Sequence, residues 1–205
     1  MLASGPMSGA TATPPSDARS RILSSAYELF SRRGIRDVGV DELVEHANVA
    51  KATLYHHFRT KDELVLAFLA EREKLWTLGF VATRAEARGK TPEERLLSIF
   101  DAFDEWFRRD DFEACSFINV LLELGRSHPA GAASVDYLDH IRDIVRKLAV
   151  EAGLNDVDPF ARSFHILMKG AIISAAEGDK LAALRAKEMA RSLIDRHREP
   201  ALQAR

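Results

Sequence analysis

Residues 39–58 read GVDELVEHANVAKATLYHHF. Apolar side chains recur at helical spacing on both sides of Asn48, which predicts two short helices joined by a tight turn. Asn tolerates the left-handed backbone conformation that such a turn requires. Ala47 is small enough to let the two helices cross closely. The spacing is therefore that of a helix-turn-helix.

The two faces of this helix pair are expected to differ in character. The inner face carries the apolar side chains, namely Val40, Leu43, Val44, Ala47, Val49, Leu54 and Phe58. The outer face of the second helix carries Lys51, Thr53, Tyr55, His56 and His57. These side chains suit phosphates, and Lys and Thr also contact base edges in the major groove. Lys61 adds a charge at the amino end of the next helix, where backbone amides favour phosphate. A bare helix pair is also simply a compact way to pack helices, so a DNA-binding assignment needs the further residues considered below.

Helical periodicity continues along the rest of the chain, and no stretch alternates as a strand does. Ser16 is expected to cap the first helix and Gly34 to end it. Thr60 is expected to form a capping box with Glu63, and Thr91 repeats the same signal with Glu94. Cap and stop residues predict the other helices at 16–34, 60–87, 91–109, 111–124, 130–152, 158–178 and 179–198. The fold class is all-α, with about nine helices. We divide the chain into a flexible arm (1–15), a three-helix DNA-binding domain (16–61) and a larger helical domain (62–205).

Two adjoining segments resemble the TetR/AcrR family of bacterial transcriptional regulators. KATLYHHFRTKDEL (51–64) resembles its recognition-helix signature, and GIRDVGVDELVEHANVA (34–50) resembles the helix and turn before it. The likeness extends in detail over 18–68 and then only in length and helix order. It implies that Lys51, Ala52, Thr53 and Tyr55 face bases or flanking phosphates, and that His56 and Lys61 hold the DNA backbone.

Two positions depart from the family pattern. Gly39 stands where the family usually has Thr or Ser, as the cap of the second helix and often a phosphate contact. Ala50 stands where the family usually has Ser at the start of the recognition helix. Gly is a tolerable cap and Ala a poor one, so about 1 kcal/mol of local stability is expected to be missing.

The resemblance also implies a homodimer in which the last two helices of each copy form a four-helix bundle. A dimer holds two recognition helices at two half-sites and so multiplies affinity and specificity. Helical periodicity alone leaves open that half of the candidate residues pack inside one chain. The candidates are Phe160, Phe164, Leu167, Ile172, Ala175, Leu184, Met189, Leu193 and Ile194.

An effector pocket in the larger domain is implied as well. Apolar walls with a few convergent polar groups suit a small organic molecule. The alternative is plain core, in which Cys115 is an inert small hydrophobe and His165 a hydrogen-bonded core histidine. The candidates are Trp76, Phe80, Phe103, Trp106, Phe107, Cys115, Asn119, Leu122, His165 and Met168.

Composition narrows the function classes. The net charge is −2, but residues 17–61 carry eight Lys and Arg against six Asp and Glu, so the positive charge is local. One cysteine, no secretory signal and no apolar run of membrane length indicate a cytoplasmic protein. The scattered histidines and the lack of phosphate-loop or nucleophile motifs predict no enzyme, no cofactor and no metal site. We therefore expect a ligand-responsive homodimeric repressor that binds a pseudo-palindromic operator and is released by a small organic effector. The rival is a helical module that binds another protein through its aromatic-rich half.

Overall fold

The computed structural model describes residues 17–198, except for the side chains of residues 78, 80–82 and 84–86. Within that range the chain is all-helical, as predicted, and contains no strand. The π-helix Glu73–Ala82 joins α4 to α5 without a break, so the described helices form nine continuous runs. The α-helices are α1 (Ala18–Arg33), α2 (Val40–His46), α3 (Lys51–His57), α4 (Lys61–Arg72), α5 (Thr83–Arg88), α6 (Pro92–Phe107), α7 (Ser116–Leu124), α8 (Pro129–Glu151), α9 (Val157–Ala176) and α10 (Ala182–Arg198).

The first helix is capped one residue later than the sequence predicts. Asp17 Oδ1 accepts the backbone N–H of Ser20 at 2.8 Å, which makes Asp17 the N-cap, and the predicted cap Ser16 lies outside the described residues. A carboxylate at this position also interacts favourably with the positive end of the helix dipole. The predicted stop is confirmed, because Gly34 ends α1 with a φ of 85°.

The two capping boxes predicted for later helices differ in outcome. Thr91 forms a complete box with Glu94, and Pro92 follows at the first helical position. Thr60 accepts the N–H of Glu63 at 3.1 Å as predicted. The Glu63 carboxylate, however, accepts the N–H of Arg59 at 2.7 Å instead of returning to Thr60. The start of α4 is thus still capped from both sides, but the Glu63 side chain binds the backbone one residue closer to the amino terminus than in a standard capping box.

One predicted helix is shorter than its periodicity suggests. The helix expected from Asp111 begins only at Ser116. Arg109 pairs with Asp111 at 2.7 Å across a tight turn. The Phe112 ring packs against Trp106 at 4.9 Å between ring centroids. These contacts fix the chain in a turn, so residues 111–115 are not free to extend the helix.

The π-helical segment Glu73–Ala82 is a feature that the sequence does not predict. It interrupts the helix expected at 60–87 with ten residues of wider winding. π-helical turns are rare and occur often at functional sites. Thr77, within this segment, is completely buried.

The described residues form two compact units. The first comprises residues up to Lys74 together with 115–136, and holds α1–α4, α7 and the start of α8. Its fully buried side chains include Ile22, Leu43, Leu54, Leu64, Phe68 and Phe117. The second comprises 75–114 and the residues from Tyr137 onwards. Its core includes Leu96, Phe100, Phe103, Phe160 and Phe164. The functional boundary after Lys61 stays a prediction.

Candidate nucleic-acid interface

The helix-turn-helix has the local geometry that its sequence predicts. Asn48 adopts the left-handed conformation at the turn, with a φ of 50°. Ala47 is buried at the crossing, and the N–H of Val49 donates to Val44 O at 3.0 Å to close the turn. Leu43 and Leu54 are the fully buried anchors of α2 and α3. Neither helix is long enough to be stable alone, so burial of these anchors is what maintains them.

Side chains of α1 fasten the helix-turn-helix from outside its core. The guanidinium of Arg19 lies 5.1 Å from the centroid of the buried Phe58 ring. Arg21 Nε donates to Ala47 O at 3.3 Å, and His46 Nδ1 lies 3.0 Å from Ser25 Oγ. These contacts fix both ends of the motif against one helix. Contacts with α1 therefore contribute to holding α3 in place.

The outward face of α3 is largely polar and accessible, although not every side chain predicted there is exposed. Lys51, Ala52, Tyr55 and His56 are exposed, whereas Thr53 and His57 are half-buried. Tyr55 keeps 42% of its surface exposed although it is a large aromatic side chain. Four positions of one helical face are thus accessible to another molecule.

Lys51 is paired with an acidic residue of the neighbouring helix. Its Nζ lies 2.7 Å from Asp41 Oδ1 in α2. The hydrogen bond to Asp41, and then the charge of Asp41, raise the pKa of Lys51 above its ordinary value. Both side chains are largely exposed, so this ion pair is weak and a phosphate group can compete for the ammonium.

Lys61 contacts the protein itself, at the loop between α1 and α2. Its Nζ donates to Ile35 O and lies 5.9 Å from the centroid of the Phe30 ring. Partial burial lowers the pKa of Lys61, and the charge of Glu123 opposes that shift. In the chain without DNA, this ammonium is therefore engaged with the loop between α1 and α2.

The two departures at helix starts have the expected local consequence. Gly39 precedes α2 with a φ of −80°, and Ala50 precedes α3 with a φ of −72°. Both residues have the extended conformation of an N-cap, yet neither helix receives a side-chain cap hydrogen bond. In α3 the N–H of Thr53 donates instead to the backbone carbonyl of Ala50 at 2.9 Å.

Comparison with known proteins places this motif in a family. A profile described as "Bacterial regulatory proteins, tetR family" matches residues 22–68. The regulator SrpR of Pseudomonas putida is 34% identical over 149 residues, which cover 72% of this chain and 68% of SrpR. The chain belongs to the TetR family.

Two further likenesses agree with this membership. The activator FasR of Mycolicibacterium smegmatis is 34% identical over 98 residues, and the match spans 47% of this chain but only 43% of FasR. The structure of a TetR-family regulator from Streptomyces coelicolor superposes with a TM-score of 0.82 at 27% identity, covering 89% of this chain and 96% of that one. The protein is thus a DNA-binding transcriptional regulator of the TetR family, and such regulators are transcription factors rather than enzymes.

The described part of this TetR-family chain contains neither a membrane-spanning helix nor a group of metal-ligating side chains. None of its helices is long and apolar enough to cross a bilayer. Among residues 17–198, no three His, Cys, Asp or Glu side chains are grouped to hold a metal ion.

The candidate pocket residues fall into the two units. Trp76, Phe103, Trp106, Phe107, His165 and Met168 are buried in the second unit. Trp76 and Trp106 pack with their ring centroids 4.1 Å apart, so these aromatics fill core volume as the alternative interpretation expected. In the first unit Cys115 is buried, whereas Asn119 is exposed and Leu122 is 77% exposed, so neither of these two lines an enclosed cavity. The side chain of Phe80 lies outside the described part.

The candidate dimer residues all lie in the second unit, but they differ in burial. Core positions of the second unit are occupied by Phe160, Phe164, Ile172, Leu193 and Ile194. These five are not available to a second copy, because they pack inside one chain. Leu167 and Ala175 are half-buried, and Leu184 and Met189 are exposed. Two further apolar side chains on α9, Ile166 and Ile173, are exposed and were missed, because helical periodicity does not show which apolar side chains stay outside a core.

Glu123 is the residue of the interface region that sequence reasoning missed completely. Its carboxylate accepts the backbone N–H groups of Ile35 and Arg36, which are 88 and 87 positions away in the chain. No local pattern in α7 marks a residue whose partners are so distant. Only the tertiary structure reveals it.

Proposed function

We propose that this regulator is a ligand-responsive homodimeric repressor. Each α3 enters a major groove of a pseudo-palindromic operator, and a small organic effector releases the dimer. The observation that carries the proposal is the exposed polar face of α3, because a face with four accessible positions on a rigidly held helix suits groove reading.

The contacts with DNA are assigned residue by residue. Ala52, Thr53 and Tyr55 face base edges or the flanking phosphates, and Lys51 exchanges Asp41 for a phosphate. His56 contacts the DNA backbone, and Gly39 lets the start of α2 lie beside the DNA backbone. Lys61 contacts the backbone after its ammonium releases the Ile35 carbonyl.

The second copy is proposed to cover the exposed apolar face of α9 and α10. Ile166, Gly170 and Ile173 follow one another at i, i+4 and i+7 on α9, and all three are exposed. Leu184 and Met189 are exposed on α10. A glycine between two isoleucines permits close approach of another helix, and exposed apolar patches mark association surfaces. We therefore assign the dimer interface to this exposed face and no longer to the five buried candidates of the sequence analysis.

The effector is proposed to bind in the second unit. Support comes from Thr77, whose buried hydroxyl has no hydrogen-bond partner among the described residues, since an unsatisfied buried hydroxyl is costly. His165 is also buried there, and burial, with Lys169 and Arg142 contributing less, lowers its pKa to about 3. A ligand with an apolar body and one polar group would satisfy such an environment. Binding would then shift the population away from the DNA-competent arrangement.

The test is selection of bound sequences from random duplex DNA with the purified chain, followed by a salt titration on the selected duplex. An inverted repeat whose affinity falls steeply with salt is the expected result, since phosphate contacts release counterions. Selection of a single unrepeated site would overturn the dimeric reading. A chain that enriches no sequence would favour the rival interpretation of a protein-binding module.

Repression and release are tested with the same operator. A reporter placed behind the selected sequence should be expressed weakly when the regulator is present and strongly when it is deleted. The opposite pattern would make the protein an activator, as FasR is. Compounds that raise the thermal midpoint of wild type but not of Thr77→Val identify effectors that use the buried hydroxyl.

A further inference from the structure

A carboxylate of α7 holds the loop that joins α1 to α2. Glu123 Oε2 accepts the N–H of Ile35 at 2.9 Å, and Glu123 Oε1 accepts the N–H of Arg36 at 2.5 Å. Both oxygens of one ionised side chain are thus committed to two consecutive backbone amides. Hydrogen bonds of this charge-assisted kind are about twice as strong as neutral ones.

The same loop residue is held from the opposite side by a base. Ile35 is buried, and its carbonyl accepts the Lys61 ammonium of α4. The acid of α7 therefore binds the N–H of Ile35 while the base of α4 binds its C=O. Three elements of the first unit, the loop, the start of α4 and the end of α7, meet at one buried residue.

Gly34 makes room for this arrangement. Its φ of 85° belongs to a region that side chains other than Gly avoid, and a Cβ built there would lie 3.0 Å from Glu123 Oε2. The loop conformation and the approach of the carboxylate therefore require the same glycine.

The other contacts of the loop are local. Arg33 donates to Asp37 O at 2.8 Å and pairs with Glu42 at the start of α2. These bonds join neighbouring parts of α1, the loop and α2. They do not connect the helix-turn-helix to α7, so Glu123 supplies a link that they lack.

We propose that Glu123 is a positioning residue for operator binding, which fixes the α1–α2 loop and thereby makes the placement of α2 and α3 depend on where the last turn of α7 lies. The inference rests on the proposed function of this surface as the operator-reading face. Glu123 touches no DNA in this account. It acts through the two amides that it binds, and a shift of α7 must either carry the loop with it or break both bonds.

The decisive variant is Glu123→Gln, which keeps the shape of the side chain and removes its charge and one acceptor. The matched control is Glu71→Gln on α4, which makes the same charge change in the same unit at a half-buried carboxylate outside this junction. Electrostatics alone predict that losing a negative charge strengthens binding to DNA slightly in both variants. Positioning predicts the opposite for Glu123 only.

The measurement compares affinity for the duplex that wild type selects from a random pool with affinity for an unrelated duplex, over a range of salt. We expect Glu123→Gln to weaken binding to the selected duplex about tenfold, within the range usual for coupling between sites. We expect its affinity for unrelated DNA and its salt slope to match Glu71→Gln, because no phosphate contact is removed. Amide hydrogen exchange at Ile35 and Arg36 should also accelerate in Glu123→Gln while the buried amides of α4 stay protected.

The outcomes separate this inference from the proposed function. If wild type selects an operator and the two variants bind it equally well, the positioning role is overturned and the proposed function stands. If Glu123→Gln lowers binding to selected and unrelated duplexes alike, its effect is general unfolding, and the inference also fails. If wild type selects no operator, the proposed function fails, and unchanged exchange at Ile35 and Arg36 would overturn the loop contact as well. Glu123→Asp, which keeps the charge but shortens the reach, should fall between wild type and Glu123→Gln.

Discussion

Glu123 and Ile35 are joined by a 2.9 Å hydrogen bond although they lie 88 positions apart in the chain. This bond, with its companion to Arg36, anchors the loop before the helix-turn-helix to α7. This loop is therefore held in part by a residue outside the 47 residues that the family profile covers.

Gly34→Ala is expected to cost more stability than an equally strained glycine replacement elsewhere. Gly34 and Gly125 both end helices in similar backbone conformations, with φ, ψ of 85°, 177° and 79°, 160°. A methyl group at Gly34 meets the Glu123 carboxylate, whereas nothing lies within 4 Å of one at Gly125. We expect Gly34→Ala to be about 1 kcal/mol more destabilising in urea unfolding, beyond the shared backbone strain of about 1–3 kcal/mol. Equal losses would show that the carboxylate does not occupy this position.

Ala50→Ser is expected to stabilise the protein. Ala50 has the conformation of an N-cap but offers no side-chain acceptor to the first-turn amides of α3. A hydroxyl there should add about 1 kcal/mol to the free energy of unfolding. Ala52→Ser is the matched control, since Ser inside a helix lowers stability by about 0.5 kcal/mol. Denaturant titration of both variants checks this pair, and stabilisation by both would refute the capping explanation.

Lys51→Ala and Tyr55→Ala should weaken operator binding without loss of stability. Both side chains are exposed, so their truncation leaves the core intact. Removing Lys51 should also reduce the slope of log affinity against log salt by about 1, as expected for one lost phosphate contact. Leu122→Ala serves as a control, because it removes an exposed apolar side chain from the same unit but outside the motif. Unchanged operator affinity in both α3 variants would refute the assignment of the DNA face.

Ile166→Lys should convert the proposed dimer to a monomer. The side chain is 67% exposed on α9, so a lysine there is harmless to the isolated chain but places a charge inside the proposed interface. Val150→Lys, at a 62% exposed position of α8, is the control and should remain dimeric. Analytical ultracentrifugation measures both. A dimer that survives Ile166→Lys unchanged would place the interface elsewhere.

His165 should make stability depend on pH. Burial, followed by Lys169 and Arg142, lowers its pKa from 6.5 to about 3. Below pH 6.5 His165 is therefore protonated in the unfolded chain but stays neutral in the folded chain. The free energy of unfolding consequently decreases as the pH falls from 6.5 towards 3. The slope attributable to one proton is about 1.4 kcal/mol per pH unit. We expect the free energy of unfolding, measured in urea, to fall less steeply between pH 6 and pH 4 in His165→Gln than in wild type. The difference in slope should be about 1.4 kcal/mol per pH unit. Parallel curves for wild type and variant would show that His165 titrates normally.

The sequence was most informative where structure is local. Asn48, Gly34 and the Thr91 cap behave as predicted, because a left-handed turn or a cap depends on one residue and its nearest neighbours. The exposed face of α3 was predictable for the same reason, since its helix is short and its apolar anchors, Leu54 above all, are unambiguous.

What the sequence could not predict depends on tertiary packing. Phe160 and Ile166 are both apolar residues of α9, yet one is fully buried and the other is 67% exposed. Periodicity identifies neither state, because it marks apolar stripes without saying what covers them. Lys61 looked like a free phosphate ligand, but its ammonium lies against Ile35 in the folded chain. The same holds for Glu123, whose role exists only once α7 and the loop are brought together.

We propose that two copies of this chain read two half-sites, each copy through its α3. The most direct test of this proposal is the stoichiometry of binding to the selected duplex, measured by calorimetry on the full site and on an isolated half-site. We predict two chains per full site, half-sites about 10 base pairs or a multiple of that apart, and a steep loss of affinity on the half-site. One chain per duplex, with equal affinity for the full site and the half-site, would contradict the account.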